Sequence, residues 1–128
     1  NTAKQCAHYC IANMAVHDGL PLVDFRQPAS PLKYDSTAAM CTACGLLEIA
    51  GHVEENEARF YTEAAYRILR ACDAKFADWD PEKDVITTGG TFFYHDPDGT
   101  NTEVPIIYGD YYFIEAILRL KGKALFEW

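Results

Sequence analysis

Apolar and small side chains recur at Ala3, Cys6, Ala7, Cys10, Ile11 and Met14, the spacing of one helix face, with Gly19 and then Pro21 as the stop. That pattern predicts a helix over residues 2–17. Pro21, Pro28 and Pro31 make the next stretch a loop, with at most a short extended piece at 22–25. Asp35-Ser36-Thr37 offers N-cap side chains to a second helix over 37–50, which meets Gly51 at its end. Small or apolar residues occupy nearly every face of this helix, the pattern of a helix enclosed by others. A third helix, over 56–78, is amphipathic: Tyr61, Ala65, Ile68, Leu69, Cys72 and Phe76 form its apolar stripe. Trp79-Asp80-Pro81 ends it, and residues 82–105 are irregular. Turn signals stand at Gly89-Gly90 and Asp96-Pro97-Asp98-Gly99, and 85–88 and 91–94 are candidate brief strands. A last helix over 107–121 carries Tyr111, Ile114, Ile117 and Leu118 at helical spacing and closes on Gly122.

The fold class is therefore all-α, with four helices in antiparallel hairpins. One helix is patterned for enclosure although only three others are present to enclose it. The loops at 20–34 and 79–105 are long for a plain bundle, and long loops often carry sites. Both features predict a piece of a larger helical body, although 128 residues is the length of one ordinary domain. The absence of an initiator Met points the same way.

Composition narrows the function classes. Hydrophobic residues at 49 % and charged residues at 23 % describe a folded chain. The formal charge of −8 argues against nucleic-acid binding, which needs Lys and Arg to displace counterions, and against docking on an anionic membrane. No apolar run approaches the ~18–20 residues of a membrane span, and the N-terminal residues lack the apolar core of a signal peptide.

Cys6, Cys10, Cys41, Cys44 and Cys72 are an odd number, so a complete disulfide framework would leave a thiol over. Cys41-Thr42-Ala43-Cys44, with Cys6, Cys10 or His8, is the spacing of a candidate zinc site and would suit a helical metal or binding module. The CxxC lies inside a continuous helix rather than on a turn, so small buried thiols are the preferred reading and no metal or other cofactor is expected. Reduced thiols favour a cytoplasmic setting, with the periplasm as the alternative.

Several segments resemble one family. They are Asp35-Ser36-Thr37-Ala38-Ala39 with Ala43-Cys44-Gly45-Leu46-Leu47-Glu48, then Gly90-Thr91, then Tyr108-Gly109-Asp110-Tyr111-Tyr112-Phe113-Ile114-Glu115-Ala116, with Val23-Asp24-Phe25 ahead of them. In order and spacing they are similar to the unsaturated glucuronyl hydrolases, and the likeness runs over essentially the whole chain. The resemblance implies helical hairpins of an (α/α)6 barrel, with residues 1–128 as the C-terminal segment of that single catalytic domain and about two of its hairpins. It implies a glycosidase that removes a Δ4,5-unsaturated uronic acid from lyase-generated oligosaccharides. The vinyl-ether double bond is hydrated, and the resulting hemiketal falls apart. The family's two aspartates, a general acid/base and its assistant, lie upstream of where this chain begins, so no catalytic residue is carried over and the piece alone is expected to be inactive. The related unsaturated rhamnogalacturonyl hydrolases are the alternative enzyme reading. Relatives often carry His-Gly-Thr or His-Ser-Thr where this chain has Gly89-Gly90-Thr91, Trp where it has Val23, and Arg where it has Tyr34. These departures bear on the subsites for the second sugar.

The candidate substrate-binding residues are Asp35, Thr91, His95, Tyr108 and Asp110. Inner-helix N-termini face the cleft in such barrels, which would bring Asp35 and Asp110 to sugar hydroxyls; the competing role for each is to satisfy backbone donors at a helix start. Tyr108, Tyr111, Tyr112 and Phe113 are candidates for sugar stacking or for core packing. His95 is a loop residue and otherwise solvated. Arg26 and Lys33 are candidates for a substrate anion, with ordinary surface charge preferred. A fragment with an enclosed helix has apolar sides to cover, so self-association of the piece is also expected.

Overall fold

The computed structural model describes residues 1–95 and 97–123; Asp96, at the head of one predicted turn, lies outside them, as do residues 124–128. The described residues form four helices and no strand: α1 (Thr2–Ala15), α2 (Ser36–Ala50), α3 (Glu55–Phe76) and α4 (Ile107–Leu120). The predicted helices are all present, each within about two residues of its expected ends.

The brief strands at 22–25, 85–88 and 91–94 are not formed. In their place three isolated antiparallel bridges, Leu22 with Tyr34, Ala77 with Thr87 and Gly90 with Val104, pin the loops. Each loop crosses the helix ends beside another segment for a residue or two and then diverges. That is too short for a ladder.

Helix α2 is central. Asp35 is in extended backbone, and its carboxylate accepts from the Thr37 amide at 3.0 Å, as the N-cap pattern requires. Ala39, Met40, Ala43, Cys44 and Leu46 are buried among the other helices. The enclosure predicted from its sequence is incomplete, because Cys41, Gly45 and Glu48 stay exposed. Three helices do not reach around a fourth.

The short turn after α2 returns the chain as α3, which buries Tyr61, Ala65, Ile68, Leu69 and Cys72. Glu55 and Glu57 in its first turn and Lys75 in its last complement the helix dipole. Tyr61 and Phe113 are fully enclosed, and burial of an aromatic body of this size contributes about 1.5–3 kcal/mol. The Tyr61 hydroxyl meets His8 Nε2 at 2.9 Å and donates to Glu57 at 3.3 Å, while Lys4 pairs with Glu57 at 2.7 Å. These bonds clamp α1 on α3, so His8 is a structural partner rather than a plain surface residue.

Contacts at the helix ends fix the directions. Ser36 Oγ, at the start of α2, donates to the Thr88 carbonyl at 2.7 Å, and Asp110, in the first turn of α4, accepts from Thr87. At the opposite end Arg119 Nη1 donates to Glu48 at 2.6 Å and Nε to Glu115 at 2.8 Å. Helices α2 and α4 therefore lie side by side and parallel. The Phe76 carbonyl at the end of α3 takes the Thr88 amide at 3.0 Å, which makes α3 antiparallel to both.

Candidate functional site

The N-termini of α2 and α4 meet at one end of the fold, and residues 85–91 are threaded between them. Asp35 and Asp110 hold this loop from opposite sides. Asp35 Oδ1 accepts from the Thr91 amide at 3.3 Å as well as from Thr37. Asp110 Oδ1 accepts from the Thr87 amide and hydroxyl, both at 2.7 Å, and its Oδ2 from the Ile86 amide at 3.2 Å. Thr91 Oγ1 donates to the Tyr34 carbonyl at 3.3 Å, and the Ser36 amide to the Gly89 carbonyl at 2.9 Å.

Three glycines let the segments approach this closely. Gly89 has φ +76°, and a Cβ there would sit 2.3 Å from the Phe76 ring. A Cβ on Gly90 would lie 2.9 Å from both Ile106 Cδ1 and Thr37 Oγ1, and one on Gly109 2.9 Å from Thr87 Oγ1. Under them Thr37 Oγ1 is buried with no hydrogen-bond partner.

Burial pushes the Asp35 carboxyl above its ordinary range, while the amides of Ala38, Thr91 and Thr37 pull the other way. Both aspartates are occupied by backbone amides. Their geometry is that of fixed acceptors holding a loop, and neither is arranged as half of an acid/base pair.

The sequence-predicted residues divide into two groups. Asp35, Thr91 and Asp110 are brought together around the loop. Tyr108 stands on the first turn of α4 at the same end and is 63 % exposed. His95 is exposed farther along the loop, its ring centroid 5.1 Å from that of Tyr94; among the described residues the hydrogen bonds of Asp35, Thr91 and Asp110 do not run to it. Phe113 is no stacking platform: it is 1 % exposed and packs on Trp79 in the core. Lys33 is paired with Glu103 at 2.8 Å. Thr87, buried and central to the cluster, has no signal in the sequence, because it gains its role from an aspartate on another element.

The thiols do not assemble. Cys6 and Cys10 lie on α1 and Cys41 and Cys44 on α2, and no group of three metal-ligating side chains forms among the described residues. Burial pushes Cys44 and Cys72 up to about 12, so both are protonated at neutral pH and poor as metal ligands. No helix among the described residues is long and apolar enough to cross a membrane.

No family model matches the chain. Among curated proteins, the unsaturated glucuronyl hydrolase of Bacillus sp. (strain GL1) is 36 % identical over 131 residues, which cover 99 % of this chain and 34 % of that protein. The crystal structure of the same enzyme, described as responsible for the degradation of glycosaminoglycan, superposes with a TM-score of 0.81 at 35 % identity, covering 92 % of this chain and 32 % of that one. A Streptococcus agalactiae unsaturated glucuronyl hydrolase variant complexed with dGlcA-GalNAc6S shares the fold, with a TM-score of 0.75 at 22 % identity over 87 % of this chain and 30 % of that one. The chain thus spans about a third of the length of the relatives it matches. The match falls on their C-terminal part. Sequence and fold together show that these residues belong to the unsaturated glucuronyl hydrolase family and correspond to its C-terminal part.

Proposed function

We propose that the 128 residues form one wall of the substrate cleft in a glycosidase that removes a Δ4,5-unsaturated uronic acid from oligosaccharides left by polysaccharide lyases. The observation that carries this reading is the convergence of the N-termini of α2 and α4 on one glycine-lined loop, in a chain similar over its whole length to such hydrolases. In this reading residues 1–128 are the C-terminal segment of a single (α/α)6 catalytic domain.

The chemistry is hydration of the vinyl-ether double bond followed by collapse of the hemiketal. The general acid/base and its partner belong to the barrel outside these residues. This chain positions rather than transfers protons. Thr91 Oγ1, which donates to the Tyr34 carbonyl, keeps acceptor capacity for a sugar hydroxyl, Tyr108 offers an exposed ring, and the two helix N-termini contribute partial positive charge. Asp35 and Asp110 act by holding that surface in place, and His95 stands exposed farther along the same loop. A cytoplasmic enzyme is proposed, on the strength of five thiols with no disulfide among the described residues.

Incubating the full-length protein with unsaturated disaccharides from several lyases tests the reading. Ultraviolet absorbance of the conjugated double bond is expected to disappear with at least one of them. Persistence of the absorbance with all of them contradicts the proposal.

A further inference from the structure

At the end of the fold away from the loop, one arginine joins the two parallel helices. Arg119 Nη1 donates to Glu48 on α2 at 2.6 Å, and its Nε donates to Glu115 on its own helix at 2.8 Å. The Arg119 side chain is 10 % exposed and that of Glu115 14 %. Taking these charges out of water is costly, and well-packed apolar residues of similar volume often replace a buried ion pair with no loss of stability. Apolar packing is at hand, since Leu47, Ala50 and Leu120 line the same patch as Arg119. What a guanidinium adds over such packing is geometry: a planar fork whose N–H groups aim at carboxylates on two helices.

The open side of α2 and α4 needs such a device. Between the helix ends the Cys44 thiol donates to the Tyr112 carbonyl at 3.3 Å. Beside that bond the side chains stop short: a Cβ on Gly45 would meet nothing within 4 Å. A hollow of about 260 Å³ opens there, lined by Cys41, Gly45, Tyr112 and Glu115. Packing on this side therefore leaves the spacing of α2 and α4 to the two ends, to residues 85–91 at one and to Arg119 at the other. The lengths favour the Arg119 end. At about 1.5 Å per residue, Glu48 lies about 6 Å and Ser36 about 12 Å along the axis from Cys44. A rigid α2 tilting about the Cys44–Tyr112 contact moves about twice as far at Ser36 as at Glu48.

We propose that Arg119, through Glu48 and Glu115, is a positioning residue of the enzyme: it sets the spacing of α2 and α4, and with it the place at which their N-termini stand in the cleft. Arg119 touches no reacting atom. The acid/base chemistry belongs to residues outside this segment, so loosening α2 against α4 weakens binding on this wall and leaves the proton transfers intact. Uniform loss of binding of this kind raises KM and spares kcat. The inference rests on the glycosidase reading above and adds what holds that wall in register from its far end.

The test compares steady-state kinetics of the full-length enzyme and its variants on an unsaturated disaccharide that it consumes, well below every thermal midpoint. Arg119→Met is expected to raise KM by about tenfold with kcat within about twofold. Arg119→Lys keeps the charge without the fork and is expected to recover only part of that loss. Glu48→Gln is the gentler variant, because Glu48 is half exposed and Gln keeps an acceptor oxygen for Arg119. It is expected to raise KM by about threefold, and with Arg119→Lys it decides the matter if Arg119→Met does not fold. An unchanged KM in these variants, with only the thermal midpoint lowered, overturns the inference and leaves a structural ion pair. Full recovery by Arg119→Lys shows that charge without the fork suffices, and overturns it too. A fall in kcat as large as any rise in KM assigns the network to the chemical step and also overturns it. These results leave the glycosidase reading standing. No turnover of any unsaturated disaccharide by the unsubstituted enzyme overturns both.

Discussion

Asp35 and Asp110 occupy equivalent places, each at the start of a helix, yet only one of them was readable. The Asp35 cap follows from a local pattern, since its partner amide at Thr37 is two residues away. The partners of Asp110 are 23 and 24 residues away in an irregular loop, and no local pattern reports them. Replacing Asp110 by Asn removes one acceptor from a set of three donors. The expected cost is about 1–3 kcal/mol, read as a lower denaturant midpoint of the full-length protein, with unchanged stability as the contradicting result. Asp35 has a different signature. Its folded pKa is raised by burial, so its contribution to stability is fully present below the unfolded pKa and is lost as pH rises through the folded one. Asn keeps an acceptor oxygen and carries no charge. The midpoint of Asp35→Asn is therefore expected to gain on that of the unsubstituted protein as pH rises from about 4, the ordinary Asp value, through the raised folded one. A gap independent of pH would show that burial of the charge costs nothing.

Helices α1 to α4 were legible because each buries a stripe at helical period and ends at Gly, or just before Pro or an irregular run. The loops were legible as loops but not in their course. Bridges of one residue pair leave no alternation to detect, and Val85-Ile86-Thr87-Thr88 has strand-like composition for a different reason: Thr87 is buried to meet Asp110. Gly89-Gly90 reads in sequence only as a turn. In the structure it is a close approach of loop to helix, and that approach forms the candidate site. Gly90→Ala places a Cβ 2.9 Å from Ile106 and Thr37, an overpacking expected to cost about 1–3 kcal/mol and to lower the thermal midpoint of the full-length protein. Gly45→Ala, with nothing within 4 Å in this segment, is the matching control for the substitution itself. Equal midpoints for Gly90→Ala and the unsubstituted protein would mean that the loop does not press on α2.

At the scale of the molecule, the segment leaves faces that a complete fold would cover. Cys41, Gly45 and Glu48 open one side of the central helix. Trp79, Tyr66 and Leu120 rim a hollow of about 450 Å³ floored by Leu69 and Phe113. The enclosed pattern of α2 announced this incompleteness in sequence, and the share of the relatives that is matched, about a third, agrees with it. Which side stays open was not readable, because it depends on how three helices arrange themselves around a fourth. The central claim is that the α2/α4 end lines the cleft. Hydrogen exchange of the full-length protein tests it directly, with and without a saturating disaccharide that lacks the double bond and is not consumed. Slower exchange is expected in residues 87–94 and in the first turn of α4, with the faces of α1 and α3 unchanged. Ligand-dependent protection that leaves both of those stretches untouched would contradict it.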